Sequence, residues 1–380
     1  MAPIRIGFIG LSAAASGSGW ANSAHLPYLQ NTSKYRIVAL CNSSVEAAQA
    51  SIKSNGLPSE TKAYGSPEDL AADADVDLVV CCVRVDKHRD ALLPALEAGK
   101  DCFCEWPLGA NLGQAQELAK LAEKKGVKTM VGLQARQSPY VRKVKEAVES
   151  GRIGKVLSTT VVACGYNFGT EPTPVGMKYL GERHVGGNMA TIHFGHMMDF
   201  VLYALGELKS YSSIYGNQRP EVQLIDKSTG KIVETFTKDA PDQVLVQGHL
   251  ESGALLSFHL RGGKPFAGEP SLLWRVYGEK GEIQVTGSSA MLNIGAPDTT
   301  VKLHNFESGD VETLEVGKDD FSSLPQPAQN IARCYEAFAE GKKENIVDFK
   351  GAVLRHALIN EMDEREVNGH QDSKAAYLSK

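Results

Sequence analysis

Between residues 4 and 133, short continuous apolar runs alternate with stretches whose apolar positions recur every three to four residues. Ile4–Ile9, Tyr35–Cys41, 76–83, Asp101–Cys104 and 129–133 are the apolar runs, rich in Val, Ile and Cys, and they predict strands buried on both faces. The intervening stretches 20–30, Val45–Ser54, Pro67–Ala72, 87–98 and Leu112–Lys125 carry the helical period. Such alternation predicts a parallel sheet with helices on both faces.

After Gln134 the pattern changes. A helix is expected over 140–150, ended by Gly151, and a half-buried strand over 157–165. A long helical stretch, 185–205, stops at Gly206. Strand patterns then dominate at 211–215, Gln243–Leu250, 254–260, Leu272–Gly278, 282–286 and 301–304, with a hairpin turn at Glu279-Lys280-Gly281. The polar stretch 218–239 reads as a loop or an irregular hairpin, and helices over 324–338 and 350–366 close the chain. The fold class expected is therefore an α/β Rossmann domain, 1–133, plus an α+β domain, 134–380, with an open, mostly antiparallel sheet. The closing helices are free to pack back on the first domain.

Composition narrows the function. The 380 residues are 42% hydrophobic and 22% charged, with a net charge of -5, so no basic footprint marks nucleic acid or an anionic membrane as a partner. No apolar run spans a bilayer, and the apolar N-terminal segment lacks a signal-peptide layout. The 7 cysteines are odd in number, and five of them lie in or beside apolar runs. They read as reduced, buried thiols, which points to the cytoplasm, or to the nucleus for a regulator. Cys102 and Cys104 are too close for the usual zinc pair. His193, His196 and Asp199 sit three apart on one helix and drift too far around it to converge on one ion. No metal is expected.

The chemistry starts at the first strand end. Gly7 and Gly10 close the strand, and small residues run from Ser12 and Ala13 to Gly19 before Trp20. Small residues there let main-chain amides and a helix N-terminus approach a pyrophosphate. The spacing is not a strict G-x-G-x-x-G, but the strand–turn–helix setting is the one that motif requires. After the second strand, Asn42 and Ser43 stand where an acidic residue usually selects NAD, and no Arg stands ready for a 2′-phosphate. The cofactor is expected to be NADP or NAD; alternatively, Asn42 caps the next helix.

From 77 onward the sequence resembles the glucose–fructose oxidoreductase/inositol dehydrogenase/MocA family. The likeness rests on the run into Arg84-Val85-Asp86-Lys87-His88, on Cys104-Glu105-Trp106-Pro107-Leu108, on the segment 131–139, on Gly186-Gly187, on Gly195-His196-Met197-Met198-Asp199, and on Tyr277-Gly278-Glu279-Lys280-Gly281. Within the family it looks most like the fungal galactose-regulon repressors, through Gly19-Trp20-Ala21, Glu105-Trp106, Gln134, Phe194-Gly195-His196 and Gly262-Gly263-Lys264-Pro265. That branch keeps the dehydrogenase fold and binds the dinucleotide, yet acts through protein contact.

The resemblance implies cofactor contacts from Gly10, Ser12, Ala13, Gly19, Trp20, Asn42, Ser43, Val83, Arg84, His88, Glu105 and Gln134. It also exposes departures. The family lysine between Glu105 and Pro107 is replaced by Trp106, whose indole cannot cycle a proton. The family Asp four residues before the histidine is replaced by Ile192. His196 is left as the group with an ordinary pKa near neutrality, with Asp199 a candidate to orient it and Lys178 a candidate to stand in for the lost lysine. Tyr166 and Asn167 are candidates to meet a sugar-like ligand.

The reading is an NAD(P)-dependent oxidoreductase acting on a sugar, polyol or related hydroxyl/carbonyl compound, assembled as a homodimer or tetramer. Two alternatives stand beside it: a non-catalytic dinucleotide-binding regulator with a protein partner, and a non-redox enzyme on the same scaffold.

Overall fold

A computed structural model describes residues 2–13, 19–165 and 169–367, with side chains to 364. Two large sheets organise it. In the first, strands β1 (Ile4–Ile9), β2 (Tyr35–Cys41), β3 (Lys62–Tyr64), β4 (Leu78–Cys81), β5 (Asp101–Cys104) and β6 (Thr129–Val131) are all parallel, in the order β3-β2-β1-β4-β5-β6. The order reverses between β1 and β4, and ligands of such sheets bind in the crevice outside the strand ends there. Strand β3 was not legible in the sequence: it has three residues and no apolar run.

Strands β7 (Val156–Gly165), β8 (Thr173–Pro174), β9 (Leu208–Gly216), β10 (Glu221–Asp226), β11 (Lys231–Thr237), β12 (Gln243–Leu250), β13 (Leu255–Gly262), β14 (Leu272–Gly278), β15 (Gly281–Gly287), β16 (Thr300–Asn305) and β17 (Val311–Thr313) follow. Eight of them form an open sheet, β17-β16-β15-β14-β7-β13-β12-β9, antiparallel except between β7 and β13. The stretch 218–239 is the irregular hairpin β10–β11, with its register shift at Leu224/Ile225, and β8 joins it in a separate small sheet.

Apolar alternation buries one face of the eight-stranded sheet: Trp274 lies 5.4 Å from Phe200 of the helix Gly195–Leu205. The helix Gln326–Glu340 returns to the first sheet, where Tyr335 is buried among Tyr35, Phe103 and His25. The last helix, Phe349–Val367, lies against Leu112–Lys125.

Two expected helices are broken. Residues 20–30 form a π-turn, Ala21–His25, and then a single α-turn, Leu26–Leu29, because Pro27 has no N–H to donate to the carbonyl four residues back. The stretch 185–205 is helical only from Met189. Gly186 takes φ 84°, and a Cβ there would stand 2.3 Å from the Ala110 carbonyl oxygen, so the glycine pair is a tight contact with the first sheet's side and not a helical turn. Asn188 caps the new start, accepting from the N–H groups of Ala190 and Thr191.

Candidate functional site

The parallel strand ends and the helix bearing His196 enclose a cleft of about 480 Å³. Its floor is the reversal point of the first sheet. Gly10 has φ 95°, and a Cβ there would lie 2.4 Å from the Cys82 carbonyl oxygen, so only glycine lets β1 and β4 turn away from each other at this height. Gly10, Gly19 and Trp20 line this end, with Val83 and Arg84 beside them. The residues between Ala13 and Gly19 lie outside the described structure, as do Tyr166 and Asn167.

Glu105, at the end of β5, is the hub. Its two oxygens accept from His25 Nε2 at 2.9 Å and Trp20 Nε1 at 2.9 Å, and His25 Nδ1 meets the Tyr335 hydroxyl at 2.8 Å. The helix Gln326–Glu340 therefore fixes, through a buried imidazole, the carboxylate that faces the cleft. Neither His25 nor Tyr335 carried a recognisable signal in the sequence, because the partners lie 310 residues apart.

Trp106 lines the cleft, but its N–H donates to the Thr191 carbonyl at 2.8 Å. The indole thus pins the π-turn before His196, and its N–H is not free to meet a substrate. Gly195 permits that approach: a Cβ there would come within 2.8 Å of Trp106 Nε1.

His196 is 6% exposed, and its Nδ1 has no hydrogen-bond partner among the described residues. Burial, and to a lesser degree His193, push its pKa down to about 3. Burial alone takes His193 to about 4. Both rings stand neutral at pH 7.

Several expected site residues are placed elsewhere. Lys178 is turned away from the cleft: its Nζ pairs with Glu234 at 2.6 Å and lies 5.2 Å from the Phe236 ring centroid, because β11 offers a carboxylate and an aromatic face on its side. Asp199 does not orient His196. It is fully buried and binds Arg136 through both oxygens, at 2.6 and 2.9 Å, and Arg355 at 3.1 Å. Gln134 is fully buried outside the cleft lining, and neither side-chain polar atom has a partner among the described residues. Asn42 and Ser43 are also outside the lining. Asn42 Nδ2 donates to the Leu11 carbonyl at 2.9 Å, tying the glycine loop to β2, and the helix cap is Ser44 instead. Ser12 Oγ donates to Asn22 Oδ1 at 2.9 Å.

His88 reaches the cleft wall with both nitrogens already facing carbonyls, Pro107 at 2.8 Å and Val83 at 3.0 Å. It also brings a ligand atom within 4.8 Å of those of Cys81 and Cys104, but these nitrogens are occupied by the backbone. Arg84 is forked onto Asp86, at 2.5 and 2.7 Å.

The cleft is also lined by Tyr179, from the loop before the glycine pair that was expected to approach it, and by Met291 and Asn293, which sequence reasoning missed. The last two belong to the β15–β16 connection, held by Asn330, whose Nδ2 donates to the Asn293 carbonyl at 2.8 Å.

A parallel sheet reversing at a glycine turn, joined to an open antiparallel sheet whose packed helix and β15–β16 connection wall the same cleft, defines a dinucleotide-binding protein built like the nicotinamide-dependent dehydrogenases. Comparison with known proteins agrees. The pattern described as "Oxidoreductase family, NAD-binding Rossmann fold" matches residues 4–133, and that described as "Gal80p, C-terminal domain" matches 139–287. The chain belongs to the glucose–fructose oxidoreductase/inositol dehydrogenase/MocA family, near its Gal80-like branch.

It is 33% identical over 303 residues to the galactose/lactose metabolism regulatory protein GAL80 of Saccharomyces cerevisiae, covering 77% of this chain and 69% of the relative. It is 32% identical over 362 residues to the dehydrogenase aclE of Aspergillus oryzae, covering 94% of each. The solved structure of a super-repressor mutant of Gal80p from Saccharomyces cerevisiae superposes with a TM-score of 0.86 at 27% identity, covering 97% of both chains. Among the described residues no helix is long and apolar enough to cross a membrane.

Proposed function

We propose that this chain is an NAD(P)-dependent oxidoreductase of a hydroxyl/carbonyl pair, with His196 as the group that meets the reacting oxygen. The observation that carries this reading is a neutral imidazole, His196, in the lining of the cleft that Gly10 and Glu105 also line. The fit to a dinucleotide rests on the space that Gly10 keeps open and on Glu105, whose carboxylate is fixed at the cleft and can accept from a ribose hydroxyl if Trp20 gives way. A bound nicotinamide supplies the hydride donor or acceptor.

A neutral imidazole has one N–H and one lone pair. In reduction, His196 in its imidazolium form gives its proton to the carbonyl oxygen as hydride arrives at carbon and the C=O bond becomes C–O, which leaves the neutral ring. In oxidation it accepts the hydroxyl proton as the carbinol C–H is given up. Burial makes that imidazolium a strong proton donor and the neutral ring the resting form at pH 7. Trp106 keeps the helix start in place, and Ile192 excludes water beside it.

The test is a screen of purified protein with NADH and NADPH, and with the oxidised forms, against cyclic ketones, polyols and sugars. Turnover is expected with at least one pair, and His196→Gln is expected to lower it about 10²- to 10³-fold with dinucleotide affinity unchanged. Silence at high protein concentration with both cofactors overturns the reading.

A second reading, a dinucleotide-binding regulator, is favoured by a specific observation: the Trp106 N–H and the Lys178 ammonium are both committed to protein partners. Capture of a partner peptide that depends on added dinucleotide supports it. In either case we assign the uncovered face of the eight-stranded sheet to a second copy of the chain. Ile214, Leu245, His259 and Val162 form one cross-strand row there, and Ile214 is 62% and Val162 46% exposed.

A further inference from the structure

Much of the polar lining of the cleft is already engaged. The Arg84 guanidinium is forked onto Asp86, both His88 nitrogens face carbonyls, Glu105 accepts from His25 and Trp20, and the Trp106 N–H donates to Thr191. His196 Nδ1 and Asn293 Oδ1 are sealed from solvent. Tyr179 differs. It lines the cleft, its hydroxyl makes no hydrogen bond to the described residues, and its oxygen is not one of the sealed polar atoms. A phenol O–H that is reachable and unengaged can donate to a ligand oxygen.

The ring is held in place. Tyr179 stands on the 3₁₀ turn Val175–Gly181, whose last carbonyl accepts from the N–H groups of Asp239 at 3.0 Å and Ala240 at 3.1 Å. A Cβ on Gly181 would lie 2.7 Å from Phe236 Cζ, so the turn packs closely on β11. The Arg84 guanidinium lies 5.6 Å from the Tyr179 ring centroid. A Cβ on Gly187 would meet Ile192 Cδ1 at 3.4 Å and Tyr179 Cε2 at 3.5 Å, so the methyl and the ring edge flank one point. Cε2 adjoins the carbon that bears the hydroxyl. Ile192 precedes His196 by four residues, about one helical turn, and both line the cleft. The phenol therefore stands beside the position where the family aspartate is lost, a turn away from His196. Burial raises its pKa more than the Arg84 charge lowers it, so it is a neutral donor at pH 7.

We propose that Tyr179 is a second catalytic residue, whose hydroxyl donates a hydrogen bond to the same substrate oxygen that His196 protonates. The inference rests on the oxidoreductase reading and deepens it. A carbonyl oxygen has two lone pairs and can accept from both groups. As hydride from the nicotinamide reaches carbon, the C=O bond becomes C–O and the proton comes from the His196 imidazolium. The Tyr179 proton stays on its own oxygen and stabilises the negative charge that builds on the substrate oxygen. Tyr179 so restores, from the turn before the glycine pair, a polar contact that Ile192 cannot make.

The test compares the full wild-type chain with Tyr179→Phe, which keeps the ring beside Arg84 and Gly187 and removes the hydroxyl. The probe is cyclohexanone, whose one polar atom is the reacting oxygen, added to protein saturated with NADH or NADPH. Calorimetry reads its binding, and nicotinamide absorbance reads its reduction. Tyr179→Phe is expected to lower kcat about 10²-fold and to weaken cyclohexanone about fivefold. Dinucleotide affinity is expected to stay within twofold and the thermal midpoint to stay level, a contrast that a folding defect would not produce. Ketone binding and kcat both within twofold of wild type overturn the proposal. A tenfold loss of dinucleotide affinity with ketone binding retained also overturns it, since the phenol would then belong to the cofactor. Wild type that takes up a dinucleotide but no cyclohexanone overturns it as well. Failure of wild type to take up either dinucleotide, or to turn over any compound of the screen, is a separate result that defeats the functional reading together with this inference.

Discussion

Replacing Asp199 by Asn tests the buried network that holds the two sheets around the cleft. Asp199 is fully buried and accepts three N–H bonds, two from Arg136 and one from Arg355, and Arg355 also pairs with Glu207. The three guanidinium contacts tie the turn after β6, the helix of His196 and the last helix to one carboxylate. Arginine beside it holds the Asp199 carboxyl below its ordinary range although burial alone would raise it, so the pair is ionised in the folded protein. An Asn at this position keeps one acceptor but turns an NH₂ toward a guanidinium, leaving donor against donor and two cations sharing only Glu207. Hydrogen bonds to charged groups are worth roughly 1.5–3 kcal/mol each, and removing one member of a buried pair costs about 3–5 kcal/mol. We expect a loss of about 3–5 kcal/mol in urea unfolding, followed by the fluorescence of Trp20, Trp106 and Trp274 and by circular dichroism. The double change Asp199→Asn with Arg136→Gln should recover part of it, since the stranded cation is gone. A loss under about 1 kcal/mol, the range of an exposed pair, would refute the view that this network is desolvated and carries stability.

Acid should destabilise the protein before its carboxylates titrate. His196 and His356 are folded with pKa values of about 3 and about 4, both lowered chiefly by burial, while unfolded histidine titrates near 6.5. The unfolded chain therefore binds protons that the folded one refuses. Stability is full above about pH 6.5 and falls as pH drops toward 4, by up to about 3 kcal/mol per ring. Thermal or urea midpoints that stay level from pH 7 to 5 would contradict this. Gly10→Ala should abolish dinucleotide uptake, read by nucleotide fluorescence, because a methyl 2.4 Å from the Cys82 carbonyl forces β1 and β4 apart. Lys178→Ala should leave uptake and any turnover within twofold, since its ammonium belongs to Glu234; a tenfold loss would return it to the site.

Local periodicity carried most of the first sheet. The apolar runs of β1, β2, β4 and β5 can be buried only between helices, and the glycine at position 10 marks the one place where the strand must turn sharply. The alternation of β12 to β15 similarly announced an open sheet with one wet face. The identity of Trp106 and Ile192 was visible in the same way, as were the small residues leading to Trp20. These are properties of neighbouring residues, and covalent order is enough to state them.

The partnerships were not legible, because they join residues that covalent order keeps far apart. Nothing near Lys178 announces that Glu234 takes its charge, nothing near Asp199 names Arg136 and Arg355, and nothing near Glu105 points to His25 and Tyr335. Whether a charged or polar group is free to act depends on which partner the folded chain brings within about 3 Å and on how much water that packing removes. Those two quantities left His196 in the cleft lining without a charged partner among the described residues while Lys178, Asp199 and His88 were satisfied elsewhere, and they exist only once the two sheets have closed on each other.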